Sequence, residues 1–355
     1  MAGGTGGHIF PALAVARELS ARGATVSWLG TRTGMEARIV PDEGIEIDWI
    51  AVRGLRGKGI GSWMMAPFKF AVAVMQAMVI VFRRRPAAVL GMGGFAAGPG
   101  GFAAWLLRRR LVIHEQNAVA GLTNRLLAPL ATVVLAGFPG AFPPRPNVVV
   151  TGNPVRPEIF RECGAVARPH PGRPRVLVIG GSLGAMVLNE TVPAALALLA
   201  EDQRPEVRHQ TGMNHCSTTR QRYREFGVEA EVEPFIEDMA QAYAWADYVI
   251  CRAGALTVSE LAAAGTAAIL VPYPHAVDDH QTRNAAFLVE AGAAILMPQS
   301  ELSAQRLSEV MNGMIRPAND SSGELLWQQM ARQARRCARP DATQVVASYC
   351  LAEGK

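Results

Sequence analysis

The sequence predicts an α/β protein of two domains with parallel sheets that face each other across a cleft, and three observations carry the prediction. Short apolar runs alternate with helical stretches along the whole chain, the pattern of parallel strands joined by right-handed crossovers. Three glycine-rich loops punctuate it: GGTGGH at Gly3 to His8, GMGGFAAGPGG at Gly91 to Gly101 and GGSLGA at Gly180 to Ala185. The third follows an apolar run over 176–179 and opens a helix, so its free N–H groups face an anion. The length, 355 residues, suffices for two domains with a core each.

In order, strands are predicted at Thr25 to Leu29, Ile45 to Ile50, Ala88 to Leu90, Leu111 to His114, Thr132 to Ala136 and Val148 to Val150. A second set follows at Arg175 to Ile179, Glu206 to Gln210, Glu231 to Glu233, Tyr248 to Cys251, Ala268 to Val271 and Ala294 to Met297. Between the sets, ARPHPGRPR (Ala167 to Arg175) has the composition of a linker. The expected domains are 1–156 and 157–340, with a C-terminal helix over 341–355 packing back on the first. A glycine loop of this kind needs a strand ahead of it, yet only Met1 and Ala2 precede Gly3. Either the chain is truncated or its start misassigned, or the first sheet lacks a central strand. The first alternative is the expectation, because a gap in a parallel sheet leaves backbone groups unsatisfied.

Half of the residues are apolar and 18 % are charged, ordinary for a soluble α/β protein. Five cysteines (Cys163, Cys216, Cys251, Cys337, Cys350) have neither ligand spacing nor a pairing pattern, which argues against zinc and disulfides and for a reducing compartment. No basic stretch followed by an apolar core opens the chain, so no secretory signal is visible. Charge is uneven: residues 1–150 carry 16 Lys and Arg against 7 Asp and Glu, residues 151–355 carry 19 against 23. The first half is therefore the one to meet an anionic partner. Its basic residues fit no nucleic-acid motif, so a membrane surface is expected and nucleic acid is not. The apolar run Gly59 to Arg85 agrees: Trp63, Met64, Met65, Phe68 and Phe70 suit a bilayer interface, and Lys69 and Arg83 to Arg85 suit headgroups. Pro67, Lys69 and Gln76 interrupt it, so no stretch is expected to reach the ~20 residues of a spanning helix. Trp105 to Arg110 repeats this chemistry, and for both segments a core-facing helix with a solvated basic end is the alternative.

The segments AGGTGGHIFPALAVA, GLRGKG, GMGGFAAGPGG, HEQNAVAGLTNR, GNPVR, GGSLGA and CRAGALTVSE, in this order from Ala2 to about Gly292, resemble the bacterial MurG family. Its members are UDP-N-acetylglucosamine transferases that convert lipid I to lipid II in peptidoglycan synthesis. The resemblance implies the GT-B fold, two Rossmann-like domains with the lipid acceptor on the first and the donor mainly on the second. It implies no cofactor and no metal. It also implies UDP-GlcNAc, lipid I and other cell-wall synthesis proteins as partners, and a peripheral place on the cytoplasmic face of the cell membrane. The sequence departs from the family at Phe95, Ala97, Leu183 and Met213, where Tyr, Ser, Gln and a polar residue are usual.

By the same resemblance, Thr5, Gly6, Gly7, Asn117, Arg156, Ser182, Ile236, the run Ala255, Leu256, Thr257, Val258, Ser259 and Glu260, and Gln281 match donor-binding positions. Ile236 is expected to present backbone groups to uracil, Glu260 to bind ribose, and Asn117 and Gln281 to read sugar hydroxyls. Gly93, Gly94 and His8 match the loops that hold the acceptor diphosphate. Chemistry leaves alternatives open at several of these. Ser182 suits a phosphate or a plain helix cap; Arg156 suits a diphosphate or an interdomain salt bridge; Glu260 suits ribose or solvent. The implied reaction inverts the sugar carbon in one displacement. His8 is the candidate general base, because imidazole titrates near the working pH; the alternative for it is a bond to backbone or to lipid phosphate. Glu115 is a weaker candidate, and His114, His275 and His280 have no metal-ligand spacing. Two other functions compete. A nicotinamide oxidoreductase fits poorly, since GGTGGH lacks the full dinucleotide spacing and Trp28 to Thr31 offers no acid for ribose. A non-catalytic peripheral membrane protein that binds nucleotide sugars would make no product.

Overall fold

All twelve runs read as strands are strands in the computed structural model, which describes residues 1–52, 65–164, 172–181, 183–318 and 323–351. The motif GLRGKG, the residues Trp63 and Met64, most of the linker and Ser182 lie outside the described residues. The chain divides into two units, Met1–Val155 with Asp341–Lys355, and Arg156–Pro340.

The second unit holds one six-stranded parallel sheet whose order is β12 (Ala294–Leu296), β11 (Ala267–Leu270), β10 (Tyr248–Cys251), β7 (Arg175–Ile179), β8 (Glu206–Gln210) and β9 (Glu231–Glu233). Its centre is β7, paired in register with β8 on one side and β10 on the other. From Val176 on β7 and throughout β10 the residues are buried on both faces, as in a parallel sheet covered by helices on both sides. Val176, Val178, Ile250 and Ile269 pack with Leu188, Val192, Leu307, Met311 and Trp327 in the largest core. His209 sits in this unit with no access to water. It bonds through Nδ1 to the Tyr223 hydroxyl (2.9 Å) and through Nε2 to Asn189 Oδ1 (3.0 Å).

The first unit is split. The strands β1 (Ser27–Gly30) and β2 (Glu46–Trp49) form a two-stranded parallel sheet, while β3 (Ala88–Gly91), β4 (Arg110–Glu115), β5 (Val133–Ala136) and β6 (Val148–Val150) form another in that order. Among the described residues no strand lies between β1 and β3. Met1 makes a stub of one, accepting from the Met92 N–H (2.8 Å) and donating to the Leu90 carbonyl (2.8 Å). On the other side, Trp28 Nε1 donates to the Ala2 carbonyl (3.0 Å). An apolar cavity of about 230 Å³ occupies the interval, lined by Val15, Leu19, Trp28, Leu29, Val81 and Leu90 among others. The C-terminal helix Ala342–Leu351 closes this end, burying Val346 and Ala347 against Val15, Val112 and Leu135.

One expectation is corrected. Residues Ala66–Arg84 form a single helix, α3, long and apolar enough by length and composition to cross a membrane. Pro67 does not break it, because proline is tolerated in the first turn, where its missing N–H has no partner to lose. The helix is nonetheless part of the unit's packing: Ala73, Val74, Ala77 and Val81 are buried, and Arg83 and Arg84 bond to Asp48 at 2.6 and 2.8 Å. Its opposite face is an exposed apolar stripe, Phe68, Val72, Met75, Val79 and Phe82, at alternating spacings of four and three.

Burial pushes the His209 imidazole down to about 3, so the folded chain keeps it neutral. The unfolded chain takes up its proton near the ordinary 6.5. Stability of the second unit is therefore complete above about pH 6.5 and is lost progressively as pH falls toward 3. Urea midpoints between pH 7 and 4 should show this decline, and a His209→Gln variant should show a flatter one.

Candidate functional site

In the first unit the glycine loop runs straight into α1 (Gly6–Ala21). Thr5 precedes it in extended conformation (φ −116°, ψ 159°), with no side-chain cap and no acidic residue in the first turn. No side chain caps the amides that open this helix, and Thr5 and Gly7 are exposed there. Beneath the loop lies a residue that sequence reasoning missed. Glu36, fully buried, accepts from the amides of Gly4 (3.1 Å) and Thr31 (3.0 Å) and from the Thr31 hydroxyl (2.7 Å).

The second glycine loop seats on the first. Gly94 has φ +81°, and a Cβ there would run into the Gly3 backbone; the Gly93 Cα faces the His8 ring closely enough that a Cβ would stand 2.9 Å from Nδ1. His8 is half-buried and its Nδ1 lies 2.8 Å from Gln116 Oε1. Gln116 ends the run after β4 and touches His114 in turn, through Nδ1 (3.1 Å) and the backbone carbonyl (3.3 Å). Glu115 is committed to structure. It accepts from the Asn117 amide (3.0 Å) and side chain (3.1 Å), the Gly121 amide (3.0 Å) and Asn124 Nδ2 (2.9 Å). Asn117 is therefore held one residue beyond Gln116, the His8 contact.

In the second unit the third glycine loop turns between β7 and the helix Met186–Ala197. Gly184 (φ +77°) packs against the Thr211 carbonyl where no side chain fits. Leu183, a departure from the family, is 86 % exposed, and Phe95 and Met213 are exposed as well. The helix Ala255–Ala264 also begins uncapped, after an extended Gly254, with no acidic residue in its first turn. Ala255 and Val258 face the core, Leu256 and Thr257 are half-buried, and Ser259 turns its hydroxyl back to the Ala255 carbonyl (2.9 Å).

Arg156 and Glu260 come together. The guanidinium donates to Glu260 Oε1 (2.8 Å) and the Tyr243 hydroxyl donates to Oε2 (3.1 Å). Burial, and next the Glu260 charge, hold the Tyr243 phenol well above its ordinary range, so it remains a donor. Glu260 is thus partly buried and paired, and its Arg156 partner belongs to the same unit. Ile236 is buried ahead of the helix Met239–Trp245, and Gln281 accepts from the Tyr273 amide (2.9 Å). Among the described residues neither bonds to the Arg156–Glu260 pair.

Replacing Glu36 by Ala leaves three donors without a buried acceptor. At ~1.5–3 kcal/mol for each bond to a charged group, the loss of stability should be ~3 kcal/mol or more. Thr31→Val removes one donor only and should cost ~1.5–3 kcal/mol, less than the Glu36 change. Urea denaturation of both variants checks the order, and equal losses would show that the loop does not hang on this carboxylate.

The Glycosyltransferase family 28 N-terminal domain matches residues 1–136, and the family's C-terminal domain matches residues 175–343. The chain is 56% identical over 357 residues to a protein of Alkalilimnicola ehrlichii (100% of this chain, 98% of the other). That relative is named UDP-N-acetylglucosamine–N-acetylmuramyl-(pentapeptide) pyrophosphoryl-undecaprenol N-acetylglucosamine transferase. A protein of the same name from Azotobacter vinelandii is 55% identical, with 99% and 97% covered. The crystal structure of Acinetobacter baumannii MurG superposes with a TM-score of 0.81 at 43% identity, covering 98% and 97% of the two chains.

Proposed function

The chain belongs to glycosyltransferase family 28, and we infer from this that it transfers N-acetylglucosamine from UDP-GlcNAc to the 4-hydroxyl of N-acetylmuramyl-pentapeptide on undecaprenyl pyrophosphate. The observation that carries the reading is full-length identity above half with relatives of that name. Two uncapped helix N-termini, one in each unit, supply the anion sites that a diphosphate donor and a diphosphate acceptor both require.

In a single inverting displacement the acceptor oxygen bonds to the anomeric carbon as the bond to the UDP oxygen breaks. The acceptor proton passes to a base, and UDP leaves with the electron pair. His8 is the base in this scheme, supported by its place on the first turn of α1 between the two glycine loops. Gly93 and Gly94 hold acceptor phosphate, and Thr5, Gly6 and Gly7 serve the donor. On the donor side the start of the helix Ala255–Ala264, Ser182 and Arg156 meet the UDP charge as it develops. Glu260 has lone pairs left for ribose, since a carboxylate offers about four sites and two are taken here. Ile236 serves uracil, and Asn117 and Gln281 read the sugar.

Turnover of UDP-GlcNAc with a lipid I analogue, read as disaccharide and UDP formed together, tests the reaction; UDP-GlcNAc binding without product would leave a binding protein. His8→Ala should cut turnover about 100-fold with donor affinity little changed. A variant with near-normal turnover would move His8 out of the chemistry.

The exposed stripe of α3 is the membrane-facing surface in this reading, with Lys69, Arg83 and Arg85 beside it. Phe70, Phe102 and Trp105 stack along its flank at 6.5 and 5.5 Å, next to exposed Leu106. An anionic bilayer adds charge attraction to apolar insertion, about 1 kcal/mol for each basic residue near the surface. The protein should sediment with anionic vesicles, release partly at high salt and bind neutral vesicles weakly. Phe68→Ser with Phe82→Ser should reduce sedimentation while sparing turnover of a short-chain soluble acceptor. Undiminished vesicle binding by that double variant would place the membrane face elsewhere.

A further inference from the structure

A line of hydrogen bonds runs inward from His8, and its direction is set by backbone carbonyls, which only accept. His114 Nε2 stands 3.0 Å from the Gly152 carbonyl, so the proton is on Nε2. His114 is fully buried, and burial pushes its imidazole down to about 4, so near neutral pH Nδ1 carries a lone pair. Gln116 is also buried, with its amide nitrogen 3.1 Å from that lone pair and 3.3 Å from the His114 carbonyl. Both neighbours accept, which orients the amide without ambiguity: nitrogen inward, oxygen outward. The outward oxygen meets His8 Nδ1 at 2.8 Å and can only accept.

We propose that Gln116 is a positioning residue that keeps the His8 proton on Nδ1 and so leaves the ring's lone pair on Nε2, ready to take the acceptor proton. The assignment rests on the reading of His8 as general base and deepens it. A histidine with free rotation distributes its proton between both nitrogens, and only one form is a base at the outer atom. The line Gly152–His114–Gln116–His8 removes that choice at its buried end, more than one residue away from the reacting atoms. Glu115, the charged group adjacent in sequence, takes no part, because its oxygens are turned to Asn117, Gly121 and Asn124. Gly93 adds the steric half of the restraint, its Cα closing on the Nδ1 and Cε1 atoms of the ring.

The test uses the full chain with ¹⁵N-labelled histidine, and His8→Ala assigns the His8 signals. In the unsubstituted protein at neutral pH, two-bond ¹H–¹⁵N spectra should give a protonated Nδ1 and a bare Nε2; a protonated Nε2 overturns the proposal whatever any variant does. Gln116→Leu should shift His8 toward a mixture of tautomers and lower kcat about 10–100-fold, with KM for UDP-GlcNAc changed less than about twofold. A double-mutant cycle separates positioning from general damage. Gln116→Leu should cost nothing further in the His8→Ala background, and an equal loss in both backgrounds overturns the proposal. If His8→Ala retains turnover while Gln116→Leu still shifts the tautomer, the base reading fails and the hydrogen-bond assignment stands.

Discussion

No side chain fits between Gly94 and the backbone of Gly3, and that close approach locks two glycine loops far apart in sequence into one surface. Each loop alone would be a flexible turn. Seated together, they fix where α1 begins, which ring face His8 turns to Gly93 and how far His8 stands from Gln116. Glu36 supports the same assembly from below, binding the loop at Gly4 and the end of β1 at Thr31. A buried carboxylate is costly unless its lone pairs are filled, and here backbone amides and a hydroxyl fill them. The unit's candidate chemistry is therefore carried by main chain and by groups that orient main chain.

The second unit solves the complementary task with side-chain charge. Arg156 and Glu260 are only partly shielded from solvent, so their ion pair contributes little to stability. Its value lies in placement, because a guanidinium held by one carboxylate oxygen cannot swing freely, and a carboxylate held by Arg156 and Tyr243 presents its remaining lone pairs in a fixed direction.

The fold was legible because period and composition change together at each strand. Runs such as 176–179 and 248–251 are apolar throughout, and the glycine turns and helices that follow leave no other register. The glycine loops stood out for the same reason. Glu36 and Gln116 were not legible, because the contacts that tie them to the loop, Gly4 and His8, lie 32 and 108 positions away and nothing local marks a buried carboxylate or amide. Alternation beyond β4 did hold a trace, since His114 and Gln116 share a face while Glu115 points away. The long helix Ala66–Arg84 was misjudged because Pro67, Lys69 and Gln76 were counted as interruptions, whereas Pro67 sits in the first turn and Gln76 spends its amide oxygen on the Ala51 N–H (2.7 Å).

The two glycine loops of similar sequence are held by different means. The third loop leaves β7, which is laddered along both edges, so displacing it strains two rows of hydrogen bonds. The first loop is held across sequence, by the Glu36 carboxylate at Gly4 and by the seat of Gly94 on Gly3. A shift of either support therefore reaches α1 and carries His8 with it as a rigid attachment.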